Sequence, residues 1–210
     1  MKKLEIITAL MASVLLFSYG NNIIAQGIKI GSQTWATKNL EVTIFRNGDT
    51  IPEEKTNEDW AKGLEAGKPA WCYYNYDPAN GLKYGKLYNW IAVNDPRGLA
   101  PEGWRVPSVA DWRELVIYLG GVNSAGSKMK SSTGWNENNS GTNTSGFAAL
   151  PGGTHFYMQA IEGIDSVGVW WSSDGVKGGD AWGFALHKNG GIGVGRGDSR
   201  NRLSVRCLRN

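Results

Sequence analysis

The sequence predicts a mixed helix and sheet fold of the α+β class, and three observations carry that prediction. Two stretches near the middle of the chain repeat apolar side chains at i, i+3, i+4 and i+7, the spacing of one buried helical face. Segments toward both ends alternate with a period of two, as strands do. Between the helical stretches and the last strands lies an interval of glycine, serine, threonine and asparagine with no period at all.

Taken in order, Lys2 and Lys3 precede the apolar run Ile6 to Tyr19, and Ala25 supplies a small residue at a cleavage point, so residues 1–25 are expected to be a secretory signal. The run is too short for a membrane span. No cysteine follows it, so a lipid anchor at the amino terminus is not expected, and residues 26–210 are expected as one domain in the periplasm, at the cell surface or outside the cell. Gly31 to Leu40 alternates as a strand that Val42-Thr43-Ile44-Phe45 continues, before a turn at Asn47-Gly48-Asp49. Thr56 to Leu64 predicts a short helix with Asn57 as its cap and Trp60 and Leu64 on one face. Tyr84, Leu87, Tyr88 and Ile91 predict a helix over 84–93. Trp112, Leu115, Val116 and Leu119 predict another over 109–119, with Ser108 and Asp111 as a capping pair and Gly120-Gly121 as the stop. Both helices are expected to pack on the sheet.

From Gly121 to Ser145 the composition predicts a long surface loop, in which Trp135 reads as a pinning anchor against the alternative of an exposed contact residue. Phe147 to Gly153 then re-enters the core. Val167 to Ser173 reads as a strand. Ala181 to His187 reads as another, with Trp182, Phe184 and Leu186 on its buried face. Gly191, Gly193, Gly195 and Gly197 alternate with Ile192, Val194, Arg196 and Asp198, so one face of that strand is bare backbone, which lets a partner or a neighbouring ring approach closely. A phosphate-binding loop would need a helix next, and no helical pattern follows Gly197.

Composition narrows the function classes. Loss of Lys2, Lys3 and Glu5 with the leader takes the formal net charge from +3 to about +2, which offers no electrostatic case for a nucleic-acid partner. Ten tryptophans are present, and the core is expected to take about eight of them. Cys72 and Cys207 are the only cysteines. An even count in an exported protein fits one disulfide, while apolar neighbours fit two buried thiols, and the sequence leaves both open. Two cysteines and two separated histidines do not make a metal site, and no cofactor is expected.

Gly103-Trp104-Arg105-Val106-Pro107, followed by Asp111-Trp112-Arg113-Glu114-Leu115, resembles the signature of the Fibrobacter succinogenes major paralogous domain, a family of secreted bacterial proteins. Further blocks match in the family's order: Ile30 to Leu40, Cys72-Tyr73-Tyr74-Asn75, Tyr84 to Trp90, Leu150-Pro151-Gly152-Gly153, Trp170-Trp171-Ser172-Ser173 and Ser204 to Arg209. The resemblance implies a C-type-lectin-like fold, a mixed and mostly antiparallel sheet with two main helices, paired terminal strands and long loops that display a ligand surface. It also implies similarity to the variable proteins of diversity-generating retroelements, which substitute residues at adenine-rich codons in the carboxy-terminal interval. The sulfatase-modifying enzymes share the broad fold and use a cysteine pair, but Cys72 and Cys207 stand in no such motif. Fold alone does not decide function.

Between the Trp170-Trp171-Ser172-Ser173 and Ser204-Val205-Arg206-Cys207 blocks, residues 174–202 are largely polar and glycine, the composition of a binding surface on a rigid scaffold. The candidate ligand-binding residues are Asp174, Lys177, Asp180, Trp182, His187, Lys188, Asn189, Arg196, Asp198 and Arg200; the competing reading is a plain polar loop and edge strand. Arg196-Gly197-Asp198 spells the tripeptide read by integrins, which is too short to carry that reading. His155 and His187 are the candidate general bases, yet neither stands beside a nucleophile or a paired carboxylate in sequence. Asp174, Asp180 and Asp198 are the oxygen ligands a calcium site would draw on. The Glu-Pro-Asn or Gln-Pro-Asp triplet of calcium-dependent sugar-binding lectins is absent, and Trp135-Asn136-Glu137 matches their Trp-Asn-Asp only superficially. The expectation is a binding protein, not an enzyme, for an extracellular protein or glycan. The alternatives are an enzyme of glycan or sulfatase-modifying type, which needs a titratable pair or metal in a pocket, and a structural envelope module.

Overall fold

The computed structural model describes residues 26–136, 139–155, 161–176 and 178–210. The expected leader over 1–25, Glu137 and the candidate ligand residue Lys177 lie outside the described residues. Within them stand eleven strands and five helices, the mixed class that the periodicities predict. None of these helices is long and apolar enough to cross a membrane.

The strand expected over 31–40 is a hairpin instead. Strands β1 (Gly27–Ile30) and β2 (Gln33–Ala36) pair antiparallel, and the chain turns between them at Gly31. No strand continues over 42–45; a single bridge joins Ile44 to Thr50 around the expected turn, where Asn47 Oδ1 accepts the Asp49 N–H (3.1 Å). The short helix is present as α1 (Asn57–Glu65), but Thr56 caps it, its hydroxyl accepting the Asp59 N–H (3.0 Å). Asn57 spends its side chain on the Tyr76 hydroxyl and the Arg202 guanidinium.

The helix expected over 84–93 is three pieces. Strand β3 (Trp71–Cys72) precedes α2 (Pro78–Tyr84), which stops at Gly85 with φ 78°, a conformation glycine adopts without strain. Leu87–Tyr88 forms β4, paired with β3, and Asn89 caps α3 (Trp90–Val93) by accepting the Ala92 N–H (2.9 Å). Tyr84, Leu87 and Tyr88 are all buried, so their spacing reported burial and not a helical face. After β5 (Trp104–Arg105), α4 (Val109–Tyr118) is as expected, with a reciprocal capping box between Ser108 and Asp111 and Trp112, Leu115 and Val116 buried. The loop expected from 121 to 145 begins as a helix, α5 (Val122–Met129). Its glycine and serine content serves close packing: a Cβ on Gly126 would lie 2.0 Å from the Gly190 carbonyl oxygen. Trp135 is the anchor, buried with its indole N–H donating to the Ala149 carbonyl (3.0 Å).

The remaining strands are β6 (Gly152–His155), β7 (Ile161–Ile164), β8 (Val167–Gly175), β9 (Asp180–His187), β10 (Ile192–Asp198) and β11 (Leu208–Arg209). A five-stranded sheet runs in the order β10-β9-β8-β6-β7, antiparallel except where β6 meets β8. A four-stranded sheet runs β1-β2-β11-β5, so the carboxy-terminal strand pairs between the first hairpin and β5. On one face of the larger sheet Trp170, Phe184 and Leu186 meet Trp35, Trp112 and Phe147; Trp112 stacks on Phe184 with centroids 4.3 Å apart. On the other face Val169, Trp171 and Ala181 pack with Leu203, Val205 and Tyr88. Eight tryptophans are buried, while Trp90 and Trp182 are half-buried, so the expected burial of β9 holds for Phe184 and Leu186 but not for Trp182. Cys72 and Cys207 are free, buried thiols in separate clusters, and burial pushes each up to about 12.

Candidate functional site

The register of β9 and β10 builds an extended surface that carries no large side chains. Gly193 faces Ala185, Gly195 faces Gly183 and Gly197 faces Ala181 on one side of the sheet. On the other side Ile192, Val194 and Arg196 face Leu186, Phe184 and Trp182. Side chains alternate across a strand, so the period-two glycines of the sequence become a stripe of bare backbone next to a second stripe of glycine and alanine. Over this floor lies a groove of about 740 Å³. Val167, Val169 and Leu203 form its apolar wall, and His187, Lys188 and Asn189 border one end.

Among the described residues nothing demands glycine in the middle of that floor. Gly195 does not have a positive φ, and a Cβ built there meets no atom of the described residues within 4 Å. A Cβ on Gly193 would make ordinary contacts, 3.6 Å to the Ala185 Cβ and 3.8 Å to His187 Nε2. Glycine inside a strand costs about 0.5–1 kcal/mol relative to alanine. The bare floor therefore carries a local cost that the chain's own packing does not explain.

The candidate residues divide among four places. His187, Lys188 and Asn189 sit at the groove end, where Asn189 Oδ1 accepts the Gly191 N–H (3.0 Å) and shapes the β9–β10 turn. Arg196 borders the groove, but its guanidinium lies over the Trp182 ring on the opposite face, 5.2 Å from the centroid. Asp180 and Asp198 lie opposite one another at the far end of the strand pair. Arg200 binds the Asp198 carboxylate through Nε (2.8 Å) and Nη2 (2.6 Å), which holds Asp198 below the usual carboxylate range. The Arg-Gly-Asp tripeptide is thus strand backbone with its carboxylate already engaged. Asp174 is framework: its Oδ2 accepts the Val109 N–H (2.6 Å) and the Ser172 hydroxyl (2.6 Å), tying β8 to the start of α4.

The two histidines stand in different surroundings, one buried and hydrogen-bonded and the other exposed. His155 is buried, and its Nδ1 meets the Arg202 guanidinium, which also donates to the Tyr76 hydroxyl. Burial and the Arg202 charge hold His155 down to about 4, so the ring is neutral near pH 7. His187 is exposed at the groove end. Among the described residues no three His, Cys, Asp or Glu side chains gather as a metal site, so Asp174, Asp180 and Asp198 do not converge. The groove residues not picked out from the sequence include Val167, Val169, Gly183, Ala185 and Leu203. Gly183 and Ala185 carried a usable signal, since their small-residue alternation matches that of β10 across the turn.

A family model described as the Fibrobacter succinogenes major domain matches residues 28–209. No curated protein and no solved structure matches the chain.

Proposed function

The chain belongs to the Fibrobacter succinogenes major domain family, and from that premise we propose that it is an exported binding protein with a C-type-lectin-like fold, whose ligand is an extracellular protein or glycan. The ligand lies in the groove floored by Gly183, Ala185, Gly193, Gly195 and Gly197. The observation that carries this reading is the bare floor: Gly195 opens onto space that the described residues leave unfilled, and a close approach by a partner accounts for it. The exposed turn at His187, Lys188 and Asn189 supplies the variable rim, and residues 174–202 are the interval that a retroelement would diversify. The test is Gly195→Leu, whose side chain projects into the groove and not into the core. Its melting temperature is expected to match or exceed the wild type, while labelled protein loses its retention on a glycan array and on extracellular protein fractions. Equal retention by both proteins would remove the groove from the reading. Sequencing the gene in several isolates checks the diversification separately, through differences from a neighbouring copy confined to adenines of codons 174–202.

A further inference from the structure

Among the described residues strand β10 is the edge of the five-stranded sheet and pairs with β9 alone. The His187 N–H donates to the Gly191 carbonyl (2.9 Å), whereas the next amide, Lys188, donates to Ser166 on the β8 side (2.7 Å). Amide direction alternates along a strand, so this parity turns Gly193, Gly195 and Gly197 toward β9 and the N–H and C=O groups of Ile192, Val194 and Arg196 outward. Among the described residues no hydrogen bond reaches those outward groups. Edges of this kind are usually blunted by proline or a bulge. β10 has no proline, and its ladder with β9 runs unbroken over seven residues.

The groove and the open edge are one surface. Residues 193 to 197 line the groove in succession, although the Val194 and Arg196 side chains stand on the opposite face. These two residues border the groove with their backbone, so the groove runs across the bare strand to its free edge. Resting on the groove reading above, we infer that the ligand presents an extended peptide segment that adds to β10 as a sixth strand and passes every second side chain over the glycine stripe into the groove. Main-chain hydrogen bonds then give affinity, and the pockets for alternate side chains give selectivity.

The walls state which peptide fits. Val167, Val169 and Leu203 match apolar side chains on the groove side. Lys188 borders the groove, and among the described residues no carboxylate lies within ion-pair distance of it, so the peptide carries an acidic residue at this rim. A sugar ring would want an exposed aromatic platform. Trp171 is fully buried at the groove's base, and Trp182 stands on the other face.

The probes are a phage-displayed library of random peptides of roughly twelve residues, long enough to span β10, and a glycan array. Val194→Pro removes one outward N–H and leaves the ladder to β9, a position where an edge strand tolerates proline. Gly195→Leu fills the groove. Selected peptides are expected to alternate apolar residues, to include an acidic one, and to bind the wild type at least about tenfold more tightly than either variant. N-methylation of the same peptides gives a readout on the wild-type protein itself: alternate positions abolish binding and the intervening ones do not. Peptides that bind Val194→Pro as well as wild type, or that ignore the methylation pattern, overturn strand addition. Glycans held by wild type and Val194→Pro but lost by Gly195→Leu overturn the peptide and leave the groove reading intact. A ligand held equally by wild type and Gly195→Leu removes both, and capture of neither probe overturns the peptide class.

Discussion

At Asp111 one carboxylate serves a helix cap and an ion pair together. Its Oδ2 accepts the Ser108 N–H and hydroxyl (each 2.7 Å), and Arg105 donates from Nη1 to Oδ2 (2.5 Å) and from Nη2 to Oδ1 (2.7 Å). Burial pushes its pKa up, but these bonds outweigh burial and hold it at about 2. An unfolded aspartate titrates near about 4. The folded value is the lower one, so the stabilisation is fully present above pH about 4 and fades as pH falls toward about 2. Asp111→Asn is expected to cost roughly 2 kcal/mol at neutral pH, with the gap to wild type closing between pH about 4 and about 2 in urea melts. A gap that stays constant with pH would assign the loss to packing. This carboxylate was legible in the sequence because capping is local, three residues from partner to partner. Asp174 and Asp198 were not, although they are the same residue type in a polar interval. Asp174 is fixed by Val109, 65 positions away, and Asp198 by a turn that brings Arg200 back onto it. Composition reports that such side chains are polar, and only the register reports whether they are already spent.

Among the elements, two glycines test whether small residues serve packing or vacancy. In α5, Gly126→Ala gains about 1 kcal/mol of helix propensity. The new methyl, however, meets the Gly190 carbonyl oxygen at 2.0 Å, so helix and turn must separate. A net loss of roughly 2 kcal/mol is expected. In β10, Gly195→Ala meets nothing, and a gain of up to about 1 kcal/mol is expected. Chemical denaturation of the two variants side by side should give opposite signs, and equal signs would contradict the packing assigned to one of them. The same contrast explains which elements the sequence made readable. Helix α4 was legible because one of its faces is exposed, and the alternation in β10 was legible because one of its faces is bare. The 84–93 stretch misled because Tyr84, Leu87 and Tyr88 are buried whatever their conformation, and Gly85 and Asn89 broke the helix where periodicity alone ran on. Helix α5 was hidden because its small residues, chosen for contact with Gly190, have loop composition.

For the molecule as a whole, the carboxy-terminal segment joins the two sheets. The Ser204 carbonyl accepts the Trp171 N–H of the larger sheet (2.9 Å), the Val205 and Cys207 carbonyls accept the Leu40 and Ala36 N–H groups (2.8 and 2.9 Å), and Leu208 pairs with both Trp35 and Arg105. Arg206 lies fully buried between them, donating to Asn39 Oδ1 and to the Ala36 and Phe147 carbonyls, with burial holding it down to about 9. None of this long-range pairing shows in the local pattern of residues 203–209, and the family resemblance alone implied that the ends meet. Deleting residues 203–210 removes Leu203, Val205, Arg206, Cys207 and Leu208, each no more than 3% exposed. It also exposes the backbone edges of β2 and β5. Such a protein is expected to lose its cooperative thermal transition and to be cut throughout by low levels of protease, because the loss exceeds the roughly 5–15 kcal/mol that holds a domain folded. Deleting only Arg209 and Asn210, both exposed, removes the Arg209 pairing with Trp104 at the end of β11, one cation over the Trp104 ring and one N–H bond to Gly103. That shorter truncation is expected to keep a single transition within about 2 kcal/mol of the full chain. Circular dichroism melts and limited proteolysis of the pair decide the matter. A cooperative melt in the longer deletion would mean that the five-stranded sheet and its groove stand without the terminal strand, and that the joint between the sheets is made elsewhere.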